Sequence, residues 1–333
     1  MKALVVGGGS IGSRHLNNLK MLGIIPLAIV EPEPERRRSL TQDNTVIGFE
    51  TLESGLAWAP DFVIIATPSH LHIEQAFKAA QSNCHVFIEK PLSHTSEGLD
   101  DLAAVVEDRS LISIVGCNMR FHPGPTKVKH LLDQEAIGKL LFARVHTGSY
   151  LPEWRPWQDY RRSYSAQVAM GGGCLLDCIH EIDLTHWYLG EVESVFCVAG
   201  HLSSLDIDVE DVALLICRHI GDRLSEIHLD YVQRTYERGC QIVGERGSIF
   251  WDYNEGVVRW FNGEQKAWHY FAQSKNWHVN QMYLDELKHF LECVQTGKST
   301  LLPVSDAVKV MRIVLAAKES AASGCLMEVQ ASA

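Results

Sequence analysis

The chain has 333 residues, 46% hydrophobic and 21% charged, enough apolar material for a sizeable core and, at roughly 100 to 200 residues per domain, for two domains. A formal net charge of -11 argues against a nucleic-acid partner, and the one basic run, Arg36 to Arg38, is balanced by Glu31, Glu33 and Glu35. No apolar run reaches the roughly 18 to 20 residues of a membrane span, the opening MKALVVGGGS lacks a signal-peptide layout, and nine cysteines without a CxxC pair read as reduced thiols, so a cytoplasmic enzyme is expected.

In chain order, residues 2–6 form an apolar run ending in glycines, and Ile11, His15, Leu16, Leu19 and Leu22 then recur along one side of a helix. Further strand-like runs at 24–30, 62–66, 85–88 and 111–116 alternate with helix-like stretches at 71–81 and 96–107. Alternation of this kind predicts parallel βαβ construction, and strands that are apolar throughout predict a sheet covered on both faces. Residues 1–120 are therefore read as one doubly wound α/β Rossmann domain.

After Phe121 the rhythm changes: a helix near 126–132, a strand near 141–148, then a glycine-rich turn opening a helix at 175–188. Closely spaced strands follow between Val192 and Phe261, including 212–217, 225–231 and 240–243, and amphipathic helices near 279–295 and 305–322 close the chain. This predicts an α+β domain over 121–333 with a predominantly antiparallel sheet, its C-terminal helix free to return to the first domain.

Gly7, Gly9 and Gly12 form GxGxxG directly after a strand and at the mouth of a helix. The first glycine suits the turn, the second admits a pyrophosphate, and the third lets helix and strand approach. Glu31 ends the next strand, where a carboxylate accepts from ribose hydroxyls and repels a 2′-phosphate, favouring NAD; Arg36 keeps NADP as the alternative. Ser10 and Ile11 complete the loop.

With ATPSHLH (Ala66 to His72), EKP (Glu89 to Pro91), NMRFHP (Asn118 to Pro123) and GGGCLLDCIHEID (Gly171 to Asp183), the chain resembles the family of glucose-fructose oxidoreductase, inositol dehydrogenase and the rhizopine-catabolism dehydrogenases. The resemblance implies a C-terminal open antiparallel sheet with one face over the active site and the other available for homo-oligomer contacts. It also implies nicotinamide-dependent chemistry on a pyranose, inositol, sialic-acid-like or nucleotide-sugar carbon, and a cis bond before the proline of EKP. Thr67, Pro68, His72, Glu89, Lys90 and Asn118 then join the expected cofactor surface.

Oxidising a secondary alcohol requires a base for the hydroxyl proton and a positive group for the developing alkoxide. Lys90, at the carboxyl end of what reads as the fourth strand, and His180 suit those roles, with Asp177 as the third catalytic candidate. Spacing of three puts Asp177, His180 and Asp183 on one side of a helix, with Glu181 facing solvent. The family's commoner pattern has three residues between aspartate and histidine where Cys178 and Ile179 stand here, which leaves open whether Asp177 or Asp183 touches substrate.

The segment from Tyr150 to Tyr164 packs aromatics and arginines into an irregular stretch, as a loop gripping a sugar does. Trp154, Arg155, Tyr160, Arg120 and Arg234 are the further substrate candidates, with Lys90, Asp177 and His180. His15 is read either at the pyrophosphate or as a packing residue, and no metal site is expected. Two other functions stay open: a tightly held cofactor used transiently, as in an epimerase, a glycosidic eliminase or a sugar-sugar oxidoreductase, and a cofactor-binding sensor without turnover. Intact Lys90 and His180 argue against the sensor.

Overall fold

The computed structural model describes residues 1–42 and 45–330, so the last three positions of the expected second domain lie outside the described residues. The chain separates into two compact units, Met1–Asn118 with Val279–Val308, and Met119–His278 with Lys309–Ala333.

In the first unit the elements are β1 (Ala3–Val6), α1 (Ser10–Met21), β2 (Leu27–Val30), α2 (Pro34–Leu40), β3 (Val46–Phe49), α3 (Leu52–Ala57), β4 (Phe62–Ile65), α4 (His72–Gln81), β5 (His85–Glu89), α5 (Leu99–Asp108) and β6 (Ser113–Gly116). The strands pair in parallel in the order β3-β2-β1-β4-β5-β6, with β1 between β2 (Ala3↔Leu27) and β4 (Ala3↔Phe62). Every residue of β1, β2, β4 and β6 is buried, which is why these strands read as unbroken apolar runs. The strand order reverses at β1 and β4, and ligands of open α/β sheets bind outside the carboxyl ends there.

Strand β3 escapes the sequence reading. Only Val46 of its four residues is buried, and it lies at the sheet's edge, so neither an apolar run nor a clean alternation marks it. EKP consequently ends the fifth strand rather than the fourth.

The second unit continues with α6 (Pro123–Asp133), β7 (Leu140–Gly148), α7 (Cys174–Asp177), α8 (Ile179–Leu189), β8 (Val192–Gly200), β9 (Val212–His219), β10 (Arg223–Asp230), β11 (Glu237–Gly244), β12 (Gly247–Asp252), β13 (Val257–Asn262) and β14 (Ala267–Ala272). The chain closes with α9 (Asn280–Thr296), which packs on α1 and β6 within the first unit, then α10 (Val304–Ser323) and β15 (Met327–Glu328). The second sheet runs β14-β13-β12-β11-β7-β10-β9-β8-β15 and is antiparallel except where β7 lies parallel to β10. Along β9, Ala213, Leu215, Cys217 and His219 point inward while Leu214, Ile216 and Arg218 face out. Helix α8 covers the inner face at β7 and β10, and α6 covers it at β12. Eight of the nine cysteines are buried free thiols and Cys325 is exposed. Among the described residues no helix is long and apolar enough to cross a membrane.

Candidate active site

The first unit presents the glycine loop. Gly7 adopts φ +98, and a Cβ there would lie 2.7 Å from the Ala66 carbonyl oxygen; a Cβ on Gly12 would lie 1.9 Å from the Gly7 carbonyl oxygen. These two glycines are forced by the turn and by the closeness of α1 to β1. Gly9 differs, because a Cβ there meets nothing within 4 Å. Gly9 caps α1 without a side chain, no acidic residue occupies the first turn, and Gly9 and Ser10 are exposed, with Ile11 half-exposed. An open helix N-terminus with unblocked backbone N–H groups fits the pyrophosphate of a dinucleotide.

Glu31 is buried directly after β2. Its Oε2 accepts from the Gly8 N–H (2.9 Å) and its Oε1 from the Glu33 N–H (2.9 Å). Gly8, absent from the sequence-based set, is required here: a Cβ on it would lie 2.6 Å from Glu31 Oε2. Arg36 stands 3.6 Å from the same oxygen and 2.9 Å from Glu33, so the basic run's first member is tethered beside the Glu31 carboxylate.

At the carboxyl ends of β4 and β5 the turns carry Thr67, Pro68, Lys90 and Pro91, and the Lys90–Pro91 bond is cis. His72 lies buried beneath them, Nδ1 2.8 Å from the Pro91 carbonyl oxygen and Nε2 2.8 Å from that of Thr67. Burial pushes its pKa down, against those two carbonyls, and its place is that of a brace between the turns. Lys90 is half-buried, while Glu89 is turned inward, Oε1 2.6 Å from Nε2 of the fully buried His15. His15 is thus on a protein carboxylate, a contact that a separation of 74 residues hides from sequence reasoning. Asn118, at the end of the same unit, is buried beside Tyr283.

The second unit positions the other candidates. The expected single helix over 175–188 is two: α7 ends at Asp177, Cys178 departs from helical dihedrals (φ -91, ψ 30), and α8 starts at Ile179. Asp177 and His180 therefore stand on either side of a break and do not share a helix face. Asp177 is buried under three hydroxyls, accepting from Ser165 Oγ at 2.5 Å, Tyr164 Oη at 3.1 Å and Tyr231 Oη at 3.5 Å. Burial, with Asp177 next, drives the Tyr231 hydroxyl's pKa well up, which keeps it a donor.

Every residue of α8 from Ile179 to Thr185 is buried, His180 included. This overturns the solvent-facing expectation for Glu181, which is 0% exposed and forms an ion pair with Arg238 of β11 at 2.8 Å. Asp183 is held just as firmly: Arg120 Nε donates to Oδ2 (2.9 Å) and Nη2 to Oδ1 (2.7 Å), both side chains being buried. Arg120, read as a substrate ligand, is in this unit a structural partner stacked near Trp187, and Asp183 is the brace.

In the loop, Trp154 Nε1 donates to Ser149 Oγ (2.7 Å) and its ring meets Tyr231 edge-on, two steps from Asp177. Arg155 lies over the ring of Tyr164 (5.3 Å) and Arg234 over that of Tyr150 (3.6 Å), neither paired with a carboxylate among the described residues. Tyr160 uses its hydroxyl to accept the Asp206 N–H (3.1 Å), and Arg161 is taken by Asp159 and Asp206. Tyr164 thus reaches Asp177 directly, Arg155 packs on Tyr164 and Trp154 on Tyr231, while Tyr160 and Arg161 hold the loop itself. No group of three or more His, Cys, Asp or Glu among the described residues is placed to hold a metal.

A profile of the oxidoreductase family with an NAD-binding Rossmann fold matches residues 1–117, and a profile of the GFO/IDH/MocA C-terminal domain matches 126–250. The chain is 29% identical to myo-inositol 2-dehydrogenase of Thermotoga maritima over 96% of both proteins. It is 26% identical to the NAD(+)-dependent scyllo-inositol 2-dehydrogenase of Bacillus subtilis, over 97% of this chain and 95% of the other. The fold of levoglucosan dehydrogenase solved with NADH superposes with a TM-score of 0.90 at 22% identity, covering both chains completely. With both halves matched in order, and with a glycine loop and a buried Glu31 fitted to a dinucleotide, the chain belongs to the Gfo/Idh/MocA family of NAD-binding oxidoreductases.

Proposed function

We propose that this protein is an NAD-dependent dehydrogenase acting on a CH–OH carbon of a sugar or cyclitol. The observation that carries the reading is Lys90, half-buried at the carboxyl end of β5 in the unit that bears the open glycine loop. When bound, NAD supplies the hydride acceptor, C4 of its nicotinamide. Lys90 donates to the substrate oxygen and holds it as charge develops there. His180 takes the hydroxyl proton as the carbon gives up its hydride, so that alcohol becomes ketone with one proton left on the enzyme. Asp177, its carboxylate fixed by Ser165 and Tyr164, accepts from a neighbouring substrate hydroxyl. Trp154 packs on Tyr231 and Arg155 on Tyr164, two of the residues that hold that carboxylate, and the guanidinium of Arg155 widens the substrate class to carboxylated sugars.

The test is NADH formation at 340 nm with myo-inositol, scyllo-inositol, levoglucosan and a hexuronic acid. Lys90→Ala and His180→Ala each lower kcat by at least about 10²-fold while the Kd for NAD stays within about threefold. Wild-type turnover in either variant removes that residue from the chemistry. Protein isolated with bound NADH and showing no net turnover on any polyol points instead to transient use of a retained cofactor. The outer face of the second sheet carries exposed Val198, Leu214, Ile216 and Leu224, and we assign the homo-oligomer contact to it, to be checked by sedimentation of Ile216→Lys.

A further inference from the structure

Behind Lys90 lies a buried polar pair that the proposed chemistry does not use. His15 Nε2 and Glu89 Oε1 are 2.6 Å apart, His15 is wholly inaccessible, and Glu89 nearly so. A proton sits between a ring nitrogen and a carboxylate at that distance, and Nδ1 of the same ring has no hydrogen-bond partner among the described residues. The surroundings are shaped around the pair. Phe87 and Tyr283 meet the imidazole edge-on, with ring centroids 5.0 and 6.4 Å away. At the end of β6, a Cβ on Gly116 would lie 3.3 Å from the Glu89 carboxylate, so the glycine leaves room for it.

If this pair served only to fasten α1 to β5, two apolar side chains would do so without the desolvation cost of a carboxylate. What apolar residues cannot supply is a fixed orientation for that carboxylate. Its second oxygen, Oε2, accepts the backbone N–H of Lys90 at 3.3 Å. A continuous path of contacts therefore runs from α1, the helix whose N-terminus forms the glycine loop, through His15 and Glu89 to the backbone of Lys90.

We propose that His15 is a positioning residue for Lys90: it holds the Glu89 carboxylate so that Oε2 anchors the lysine's backbone, and thereby sets where the ammonium stands. The inference rests on the assignment of Lys90 to the reaction. His15→Phe keeps the ring's bulk and its edge contacts but removes the donor, whereas His15→Gln restores an N–H near the Nε2 position. In protein labelled with [15N]lysine and saturated with NAD, the Lys90 amide resonance, assigned by its loss in Lys90→Arg, shifts in His15→Phe and returns towards its original place in His15→Gln. With the best substrate from the polyol panel, kcat of His15→Phe falls about 10- to 100-fold, KM and the Kd for NAD stay within about threefold, and His15→Gln recovers most of the loss.

An unmoved Lys90 resonance in His15→Phe overturns the proposal. So does an unchanged kcat, or an equal loss in the Phe and Gln variants accompanied by weakened NAD binding, which marks a purely structural role. The spectroscopic arm needs no substrate and stands whether or not a polyol is oxidised. Wild-type activity in Lys90→Ala, with the resonance still moving in His15→Phe, would instead remove the lysine from the chemistry and leave the contact path intact.

Discussion

Gly9→Ala separates cofactor binding from folding. Gly9 has φ -68 and ψ -170, an extended conformation open to any residue, and a Cβ there meets no heavy atom within 4 Å. Alanine thus fits the folded state and reduces the freedom of the unfolded chain, for a gain of roughly 0.4–1 kcal/mol. The same methyl occupies the open space in front of the first turn of α1, the proposed place of the pyrophosphate. Losing one charge-assisted hydrogen bond there costs about 1.5–3 kcal/mol, or about 10- to 150-fold in Kd. Gly12→Ala is the contrast: its Cβ would lie 1.9 Å from the Gly7 carbonyl oxygen, backbone that cannot swing aside, so it lowers the melting temperature as well as the affinity. Quenching or transfer fluorescence on NADH titration gives Kd, and thermal unfolding without cofactor gives Tm. Wild-type NADH affinity in Gly9→Ala would refute the placement of the pyrophosphate, and an unchanged Tm in Gly12→Ala would refute the packing argument.

Two further outcomes follow from buried charge. Arg120→Leu strands the Asp183 carboxylate in the interior and costs about 3–5 kcal/mol of stability by urea unfolding, most of which returns in the double variant Arg120→Leu/Asp183→Leu; a cost below about 1 kcal/mol contradicts the burial of the pair. His219 donates and accepts as a neutral ring, facing the Gly190 carbonyl oxygen and Ser225 Oγ at 2.9 Å each, and burial lowers its pKa from 6.5 to about 4. The unfolded chain therefore binds a proton that the folded chain refuses between pH 6.5 and about 4, and stability falls as pH drops through that window, by at most about 3 kcal/mol from this group. His219→Gln is less stable at neutral pH but has a shallower acid slope; an identical slope in both proteins sinks the assignment.

What was legible in the sequence is what one segment decides by itself. The glycine loop is such a case, because Gly7 and Gly12 answer to backbone sterics within a single turn, and so are the fully buried strands β1, β2 and β4. Strand β3 was not legible, since an edge strand with one buried residue in four has no pattern to read. The break at Cys178 was missed because a three-residue spacing looks the same whether or not the helix is continuous. The pairs His15–Glu89, Arg120–Asp183 and Glu181–Arg238 join residues 74, 63 and 57 apart, and nothing local distinguishes a carboxylate with a buried partner from a solvated one. For the same reason Arg120 reads as a substrate ligand from its motif and proves to be engaged by Asp183.

The two proposed catalytic residues share a construction in their separate units. Lys90 follows Glu89, which is buried against His15; His180 precedes Glu181, which is buried against Arg238. Successive side chains of a helix diverge by about 100° and those along a strand alternate, so a neighbour held by a buried ion pair fixes the direction in which the functional group leaves the backbone. A carboxylate is costly to bury but, once paired, tolerates only a narrow set of orientations, whereas an apolar anchor at the same place tolerates several. We read the desolvation cost at Glu89 and Glu181 as matched to the proposed chemistry: the hydroxyl oxygen must give up its proton as the carbon it is bonded to gives up its hydride, and a lysine or histidine displaced by about 1 Å forfeits much of the rate.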